Sequence, residues 1–114
     1  MKKILVVDDD SSILEVVEII LSNQGFDVYT HASGLGVPEV VDKYKPDLIL
    51  LDILLPHKMG TEICKELKET HTIPILLFSA HSNVGAAYKE CNADGFIKKP
   101  FDVPDFVAII KSLT

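Results

Sequence analysis

The chain has 114 residues, 47% of them hydrophobic and 25% charged, which is the usual size of a single domain with one buried core. Its 17 acidic side chains outnumber 11 basic ones, the net charge is −6, and every basic residue is a lysine. This balance argues against nucleic acid and anionic lipid as direct partners, because phosphate groups attract basic patches and the arginine fork is missing.

The N-terminus and the two cysteines bear on location. The apolar run at residues 4–7 ends at Asp8, whereas an export signal needs roughly 7–15 apolar residues and a membrane span about 20. Cys64 and Cys91 fit no metal or redox spacing, so we expect reduced thiols packed in helices, as is typical inside cells. The sequence therefore predicts a cytoplasmic protein with no membrane contact.

Ten segments alternate between strand and helix patterns. In chain order they are strand Ile4–Val7, helix Ser11–Asn23, strand Phe26–His31, helix Pro38–Lys45, strand Leu48–Leu51, helix Gly60–Thr70, strand Ile75–Phe78, helix Asn83–Cys91, strand Gly95–Lys98 and helix Pro104–Leu113. The first, third and fourth strands are continuous apolar runs, typical of parallel strands covered on both faces. The second and fifth alternate apolar and polar residues, which places them at the sheet margins.

Local signals set the helix limits and faces. Ser12 and Glu15 are spaced as a capping box at the start of the first helix, although Asp10 or Ser11 could cap it instead. The third helix is expected to bury Ile63 and Leu67. The last helix is expected to bury a stripe formed by Phe106, Val107, Ile110 and Leu113.

These elements predict one α/β domain spanning residues 1–114. Right-handed crossovers with the alternating strands at the edges favour a doubly wound five-stranded parallel sheet of order 2-1-3-4-5, in a flavodoxin-like three-layer sandwich. In such sheets ligands bind beyond the carboxyl ends of the strands. The residues that follow each strand are therefore the candidate functional residues.

Polar side chains stand at four strand ends. Asp8, Asp9 and Asp10 follow the first strand, Asp52 the third, Ser79 the fourth, and Lys98 and Lys99 the fifth.

Crowded carboxylates of this kind need a cation. Asp8, Asp9 and Asp52 offer the oxygen ligands that suit Mg²⁺. With a metal bound, Asp52 could attack phosphorus as a nucleophile and become an acyl phosphate. Lys99 and the Ser79 hydroxyl could then contact the other phosphoryl oxygens. Alternation with Phe96 puts Lys98 and Lys99 on different faces of the sheet, and of the two only Lys99 fits this role.

The ordered set of motifs resembles the CheY-like receiver domain of two-component response regulators over essentially the whole chain. The matching segments are LVVDDD at 5–10, PDLILLD at 46–52, Pro56 and Gly60, SA at 79–80, ADGFIKKPF at 93–101, and the closing helix.

The resemblance implies a phosphorylation site and its ligands. Asp52 would accept phosphate from a phosphohistidine, with Asp8, Asp9 and the Leu54 carbonyl on Mg²⁺ and with Ser79 and Lys99 as contacts. It further implies a cis peptide bond between Lys99 and Pro100, and a switch in which Phe96 follows the Ser79 hydroxyl inward.

Two departures from the family pattern affect the site rim and the usual output face. The stretch after Asp52 reads Pro56-His57-Lys58-Met59-Gly60, where Pro-Gly-Met-Asp-Gly is usual. The segment from Ser79 to Lys99 is slightly short, so we expect a trimmed or frayed fourth helix.

Two surface hypotheses concern neighbours of the site. His81 lies two residues after Ser79, and His81 with Leu54 is expected to control water access and the lifetime of phospho-Asp52. The first helix is apolar on nearly every side, so Ile13 and Val16 either belong to a broad core face or form a patch for a histidine-bearing helical partner.

The expected partners follow from the resemblance. They are a histidine kinase or histidine phosphotransfer protein and a downstream protein target, or an output domain outside these 114 residues, with a phosphorylation-dependent dimer also open. The chain would phosphorylate and slowly dephosphorylate itself rather than turn over metabolites.

Three alternatives belong to other classes. One is a phosphohydrolase of the haloacid dehalogenase type with Asp8 as nucleophile, although Asp102 and Asp105 do not supply its late acidic pair. Another is an interaction module that is never phosphorylated. A flavin site is weaker still, because acids occupy the loop where a phosphate cradle would lie.

Overall fold

The computed structural model describes residues 1–80 and 84–114, with the side chain of Val84 left out. The described residues form five strands and five helices in strict alternation. The elements are β1 (Lys3–Val7), α1 (Ser11–Asn23), β2 (Asp27–His31), α2 (Val37–Tyr44), β3 (Leu48–Leu51), α3 (Gly60–Thr70), β4 (Ile75–Ser79), α4 (Val84–Cys91), β5 (Gly95–Lys98) and α5 (Val103–Leu113).

The five strands form one parallel sheet in the order β2-β1-β3-β4-β5. The predicted strand order is therefore confirmed. The middle strands β1, β3 and β4 are almost entirely buried, whereas β5 alternates between half-buried and exposed residues. The residues of β2, at the other edge, are likewise exposed or half-buried. Continuous apolar runs thus mark the inner strands, and alternating runs mark the two edge strands, as expected.

Two apolar clusters cover the two faces of the sheet. One cluster packs α2, α3 and α4 against one face, and the other packs α1 and α5 against the opposite face. This is the predicted three-layer sandwich. Alternate residues of each strand enter opposite clusters, as Leu5 and Ile4 do in β1, because successive side chains of a strand point to opposite faces.

Several local expectations are corrected. The possible Ser12–Glu15 box does not cap α1, whereas the expected alternative, Asp10, does: its carboxylate accepts hydrogen bonds from the backbone N–H groups of Ser12 and Ile13. Phe26 precedes β2 and packs in the core. In α5, Ile109 packs against the core where Val107 was expected, because the buried face of this helix is centred on Phe106 and Ile110.

The fourth helix is only partly open to comparison. It is described from Val84 to Cys91, and its expected start at Asn83 lies outside the described residues. Within residues 1–80 and 84–114, no helix combines the length and apolar character needed to cross a bilayer.

Candidate functional site

The carboxyl edge of the sheet gathers the predicted site residues. Asp8 follows β1, Asp52 follows β3, and Ser79 ends β4. Among the described residues these three are the buried polar or charged side chains, with exposed fractions of 0%, 6% and 1%. Burial of carboxylates is costly unless a cation or hydrogen-bond donors compensate, so the two buried carboxylates at this edge require such partners.

Lys99 supplies a cation between the two buried carboxylates. Its Nζ lies 2.5 Å from Asp8 Oδ2 and 3.3 Å from Asp52 Oδ2, and its side chain is 14% exposed. Its backbone N–H donates to the Ser79 carbonyl at 2.9 Å, which fixes the loop after β5 beside β4. Lys98 is exposed, so the structure separates the two lysines as expected.

The charges at this edge do not balance. Burial raises the pKa of Asp8 above its ordinary value, and the nearby charge of Asp52 raises it further. Hydrogen bonds from Lys99 and from the Asp10 backbone N–H act in the opposite direction. One lysine therefore does not fully compensate two buried carboxylates, and a further cation would be stabilised here.

The arrangement of carboxylates suits a small divalent metal ion. Oxygens of Asp8, Asp9 and Asp52 lie within 4.8 Å of one another, slightly more than the about 4.2 Å that separates the most distant ligands of one Mg²⁺ ion, so a small inward movement of the side chains would let one ion contact all three. Asp9 is exposed, which leaves the site open to solvent on one side. The donor set is oxygen only, the type that Mg²⁺ prefers.

The loop between β3 and α3 is packed tightly behind Asp52. The Gly60 N–H donates to the Ile53 carbonyl at 2.7 Å, and a Cβ on Gly60 would lie 2.0 Å from the Asp52 carbonyl oxygen. Glycine is therefore required there by space. His57, at one of the unusual positions, has a φ of 73°, a left-handed conformation that favours glycine.

Leu54 lies beside the site in the same loop. Its backbone N–H faces Asp52 Oδ1 at 3.4 Å, and its side chain is 49% exposed. The role of its carbonyl as a metal ligand stays a prediction. His81, its expected companion in controlling the phosphoryl lifetime, lies outside the described residues.

The two predicted switch residues occupy different environments. Ser79 is buried at the end of β4, whereas Phe96 in β5 is 40% exposed. The Phe96 ring packs against Tyr88 of α4 with ring centroids 5.3 Å apart. The Lys99–Pro100 peptide bond is cis, as expected.

The outer face of α1 carries an apolar surface. Val16 is 49% exposed and Ile19 56% exposed, whereas Ile13 is half-buried and packs against the core. Of the two residues proposed for a partner surface, only Val16 is strongly exposed. Ile19 was missed, although its spacing of three from Val16 places both on one helix face.

Two contacts escaped sequence reasoning altogether. Phe78, the residue before Ser79, places its ring 4.5 Å from Lys99 Nζ. The buried Cys64 Sγ faces the carbonyl oxygen of the equally buried Cys91 at 3.4 Å. Each contact joins residues of different elements, and no periodicity within one element reports it.

Comparisons with known proteins agree with this geometry. The family model described as response regulator receiver domain matches residues 4–111. The BeF3-activated N-terminal receiver domain of RstA from Klebsiella pneumoniae is 30% identical with a TM-score of 0.92, covering 97% of each chain. The chemotaxis protein CheY4 of Vibrio cholerae is 27% identical with a TM-score of 0.90, covering 100% of this chain and 99% of that one.

A third similar structure belongs to a longer protein. NtrX from Brucella abortus, in complex with ATP, is 29% identical with a TM-score of 0.88, and the match covers 97% of this chain but 26% of NtrX. The fold, the carboxyl-edge residues and the family match all agree. The chain belongs to the receiver-domain family of two-component response regulators.

Proposed function

We propose that this chain is a phosphoacceptor switch in which Asp52 receives a phosphoryl group from a phosphohistidine in a Mg²⁺-dependent reaction. The donor would be a histidine kinase or a histidine phosphotransfer protein. The observation that carries the proposal is the position of Lys99 Nζ, which is 2.5 Å from Asp8 and 3.3 Å from Asp52 at the carboxyl edge of the sheet. Receiver domains are signalling domains rather than metabolic enzymes, which agrees with this role.

The transfer step is an exchange at phosphorus. A carboxylate oxygen of Asp52 attacks the phosphorus atom, a P–O bond forms, and the P–N bond to the donor imidazole breaks. The electron pair of that bond stays on the imidazole nitrogen, which takes up a proton. Lys99 is near enough to Asp52 to pair with the charge on a phosphoryl oxygen, and the Ser79 hydroxyl would donate to another.

Mg²⁺ would be held by Asp8, Asp9 and Asp52, with the Leu54 carbonyl as a further ligand. When bound, the ion would neutralise phosphoryl oxygen charge that the carboxylates alone would repel. The oxygens of the three carboxylates, within 4.8 Å of one another, support this ligand set.

The response would be a shift between two populated states. Phosphorylation would draw the Ser79 hydroxyl toward the phosphoryl group, and the Phe96 ring would move inward. The exposed position of Phe96 in this structure fits the unphosphorylated state. Partners that bind the α4–β5 face, an output domain or a second copy of the chain, would then distinguish the two states. Leu54 and His81 would set the lifetime of the phosphoryl group by controlling water.

The phosphohydrolase alternative is less favoured by the contacts of Asp8. Asp8 is 0% exposed, and its two oxygens accept hydrogen bonds at 2.5 Å from Lys99 and at 2.9 Å from the Asp10 N–H. The corresponding contacts of Asp52 are longer, at 3.3 and 3.4 Å, so Asp52 is held less tightly and is the better placed nucleophile. An unphosphorylated interaction module has no need to bury Asp52 beside Lys99. Sustained hydrolysis of small phosphate esters would favour the phosphohydrolase.

Mass spectrometry after treatment with acetyl phosphate and Mg²⁺ tests the proposal. The parent chain should gain the mass of one phosphoryl group, mapped to Asp52, and Asp52→Ala should gain none. Asp10→Ala is the matched control, because Asp10 is an exposed cap of α1 in the same acidic run. It should be phosphorylated normally while losing about 1 kcal/mol of stability. Phosphorylation of Asp52→Ala at another residue would refute the proposal.

A further inference from the structure

The ring of Phe78 forms one wall of the lysine site. Phe78 is 0% exposed in β4, directly before Ser79. The Lys99 Nζ lies over its face, 4.5 Å from the ring centroid. At this distance the negative face of an aromatic ring attracts an ammonium group, and the attraction is strongest where water is excluded.

The ring complements the other two contacts of the ammonium. A lysine ammonium has three N–H donors, and among the described residues Lys99 Nζ forms ion pairs with Asp8 Oδ2 and Asp52 Oδ2. The Phe78 face offers the cation a third favourable contact without a localised acceptor oxygen. Because the Lys99 side chain is only 14% exposed, few water molecules can reach its ammonium group and take the place of the ring.

We infer that Phe78 is a positioning residue, whose ring holds the Lys99 ammonium at the phosphorylation site while its carboxylate partners are occupied by a metal ion. The inference rests on the proposed function, because it concerns the same site. Asp8 and Asp52 belong both to the lysine ion pairs and to the proposed metal ligand set. A divalent cation bound to the same carboxylates would neutralise their charge, weaken their attraction for Lys99 and repel its ammonium group.

The contact of Lys99 with the Phe78 ring does not compete with metal binding, because the ring is not a metal ligand. This contact therefore persists when the ion pairs with Asp8 and Asp52 weaken. It then keeps the ammonium close to Asp52 until a phosphoryl oxygen offers a new partner. Phe78 therefore stabilises the conformation in which Lys99 lies beside Asp52 over conformations in which Lys99 has moved away. Because only the first conformation can contact a phosphoryl oxygen, the ring raises the affinity of the site for a phosphoryl group.

Core packing alone would also bury Phe78, and Phe106 provides the comparison. Both rings are 0% exposed in the same apolar cluster. The Phe106 ring stacks on Phe101 with centroids 4.5 Å apart, and within residues 1–80 and 84–114 no lysine ammonium lies over it. A change that alters only ring charge should therefore act at position 78 and not at position 106.

Site-specific incorporation of phenylalanines with increasing numbers of ring fluorines makes that change. Fluorine withdraws charge from the ring face and alters its volume little. The affinity for beryllofluoride in the presence of Mg²⁺ should fall stepwise with fluorination at position 78, by roughly three- to thirtyfold for the most fluorinated ring. The same rings at position 106 should leave it unchanged.

A metal-free measurement separates this inference from the proposed function. In the unmodified chain, ring current should shift the NMR signals of the Lys99 Hε protons upfield. These signals should move toward ordinary values in Phe78→Leu and in the fluorinated chain, but not in Phe106→Leu. If the unmodified chain fails to bind beryllofluoride, the proposed function fails, and the Lys99 signals still test the ring contact. Equal effects at positions 78 and 106, or none at 78, would overturn the inference.

Discussion

The carboxyl edge and the α4–β5 face differ in how firmly their key side chains are held. Asp8, Asp52 and Lys99 are buried or nearly so and linked by ion pairs at 2.5 and 3.3 Å. Phe96 is 40% exposed and rests on Tyr88 through a single tilted ring contact. A phosphorylation site gains from groups fixed in place before reaction, whereas a switch needs an element that moves at small cost. The proposed chemistry would thus lie in the rigid region and the proposed response in the more mobile one.

The largest effect is expected from Gly60→Ala. Its Cβ would lie 2.0 Å from the Asp52 carbonyl oxygen and 2.8 Å from Ile53 Cα, so the backbone behind Asp52 must move. We expect a loss of about 4 kcal/mol in the free energy of unfolding, measured by urea denaturation, with slower phosphorylation of Asp52.

Gly85→Ala is the matched control on the α4–β5 face. Its Cβ would lie 3.7 Å from Phe96 Cζ, an ordinary contact. Alanine favours helix more than glycine does, so this variant should gain about 0.5 kcal/mol. Similar free energies of unfolding for the two variants would contradict the contrast in rigidity.

Sequence reasoning found the elements and the site because both follow from strong regularities. Runs such as Leu48–Leu51 are apolar since both faces are covered, and parallel strands bring Asp8 and Asp52 to one edge whatever the loops do. The contact between Phe78 and Lys99 depends on how β4 and the chain after β5 pack together. Residue types narrowed the cap of α1 to a few candidates that included Asp10, and the final choice of Asp10 depends on one backbone turn.

Asp8→Asn tests the charge imbalance at the carboxyl edge. Burial raises the folded pKa of Asp8 above its unfolded value of 3.8, so the fold favours the protonated form. That contribution is full below the unfolded pKa and is lost as pH rises through the folded pKa. Asparagine has no proton to lose, so without metal the variant should be about 1 kcal/mol more stable than the parent at neutral pH, while losing Mg²⁺ affinity.

Urea denaturation at several pH values measures this difference, which should shrink at low pH. Asp9→Asn is the control, because Asp9 is exposed and its neutralisation should leave metal-free stability unchanged. A gain for Asp9→Asn equal to that for Asp8→Asn would indicate a general effect of net charge instead.

Phe96→Ala should separate response from chemistry. The half-exposed ring contributes little to the core, so we expect a loss of about 1 kcal/mol in stability and an unchanged rate of Asp52 phosphorylation. The chemical-shift change of Tyr88 on phosphorylation, followed by NMR, should be lost.

Tyr29→Ala provides a comparison at the opposite edge of the sheet. Tyr29 is 46% exposed and forms a similar tilted pair with Tyr44, with centroids 5.1 Å apart. This variant should lose similar stability yet keep the Tyr88 response. Loss of that response in both variants would show that any exposed aromatic pair affects it, and that Phe96 has no special role.

The smallest change in stability is expected at two residues in the left-handed conformation, one at the carboxyl edge and one at the α4–β5 face. His57 has a φ of 73° on the rim of the carboxyl edge, and Asn92 has a φ of 59° after α4. Glycine relieves the strain of a side chain there but adds freedom to the unfolded chain. His57→Gly should gain about 0.5 kcal/mol, and Asn92→Gly should gain nothing, because asparagine adopts this conformation readily. Thermal unfolding measures both, and a loss of stability for His57→Gly would mean that the imidazole makes contacts that outweigh its backbone strain.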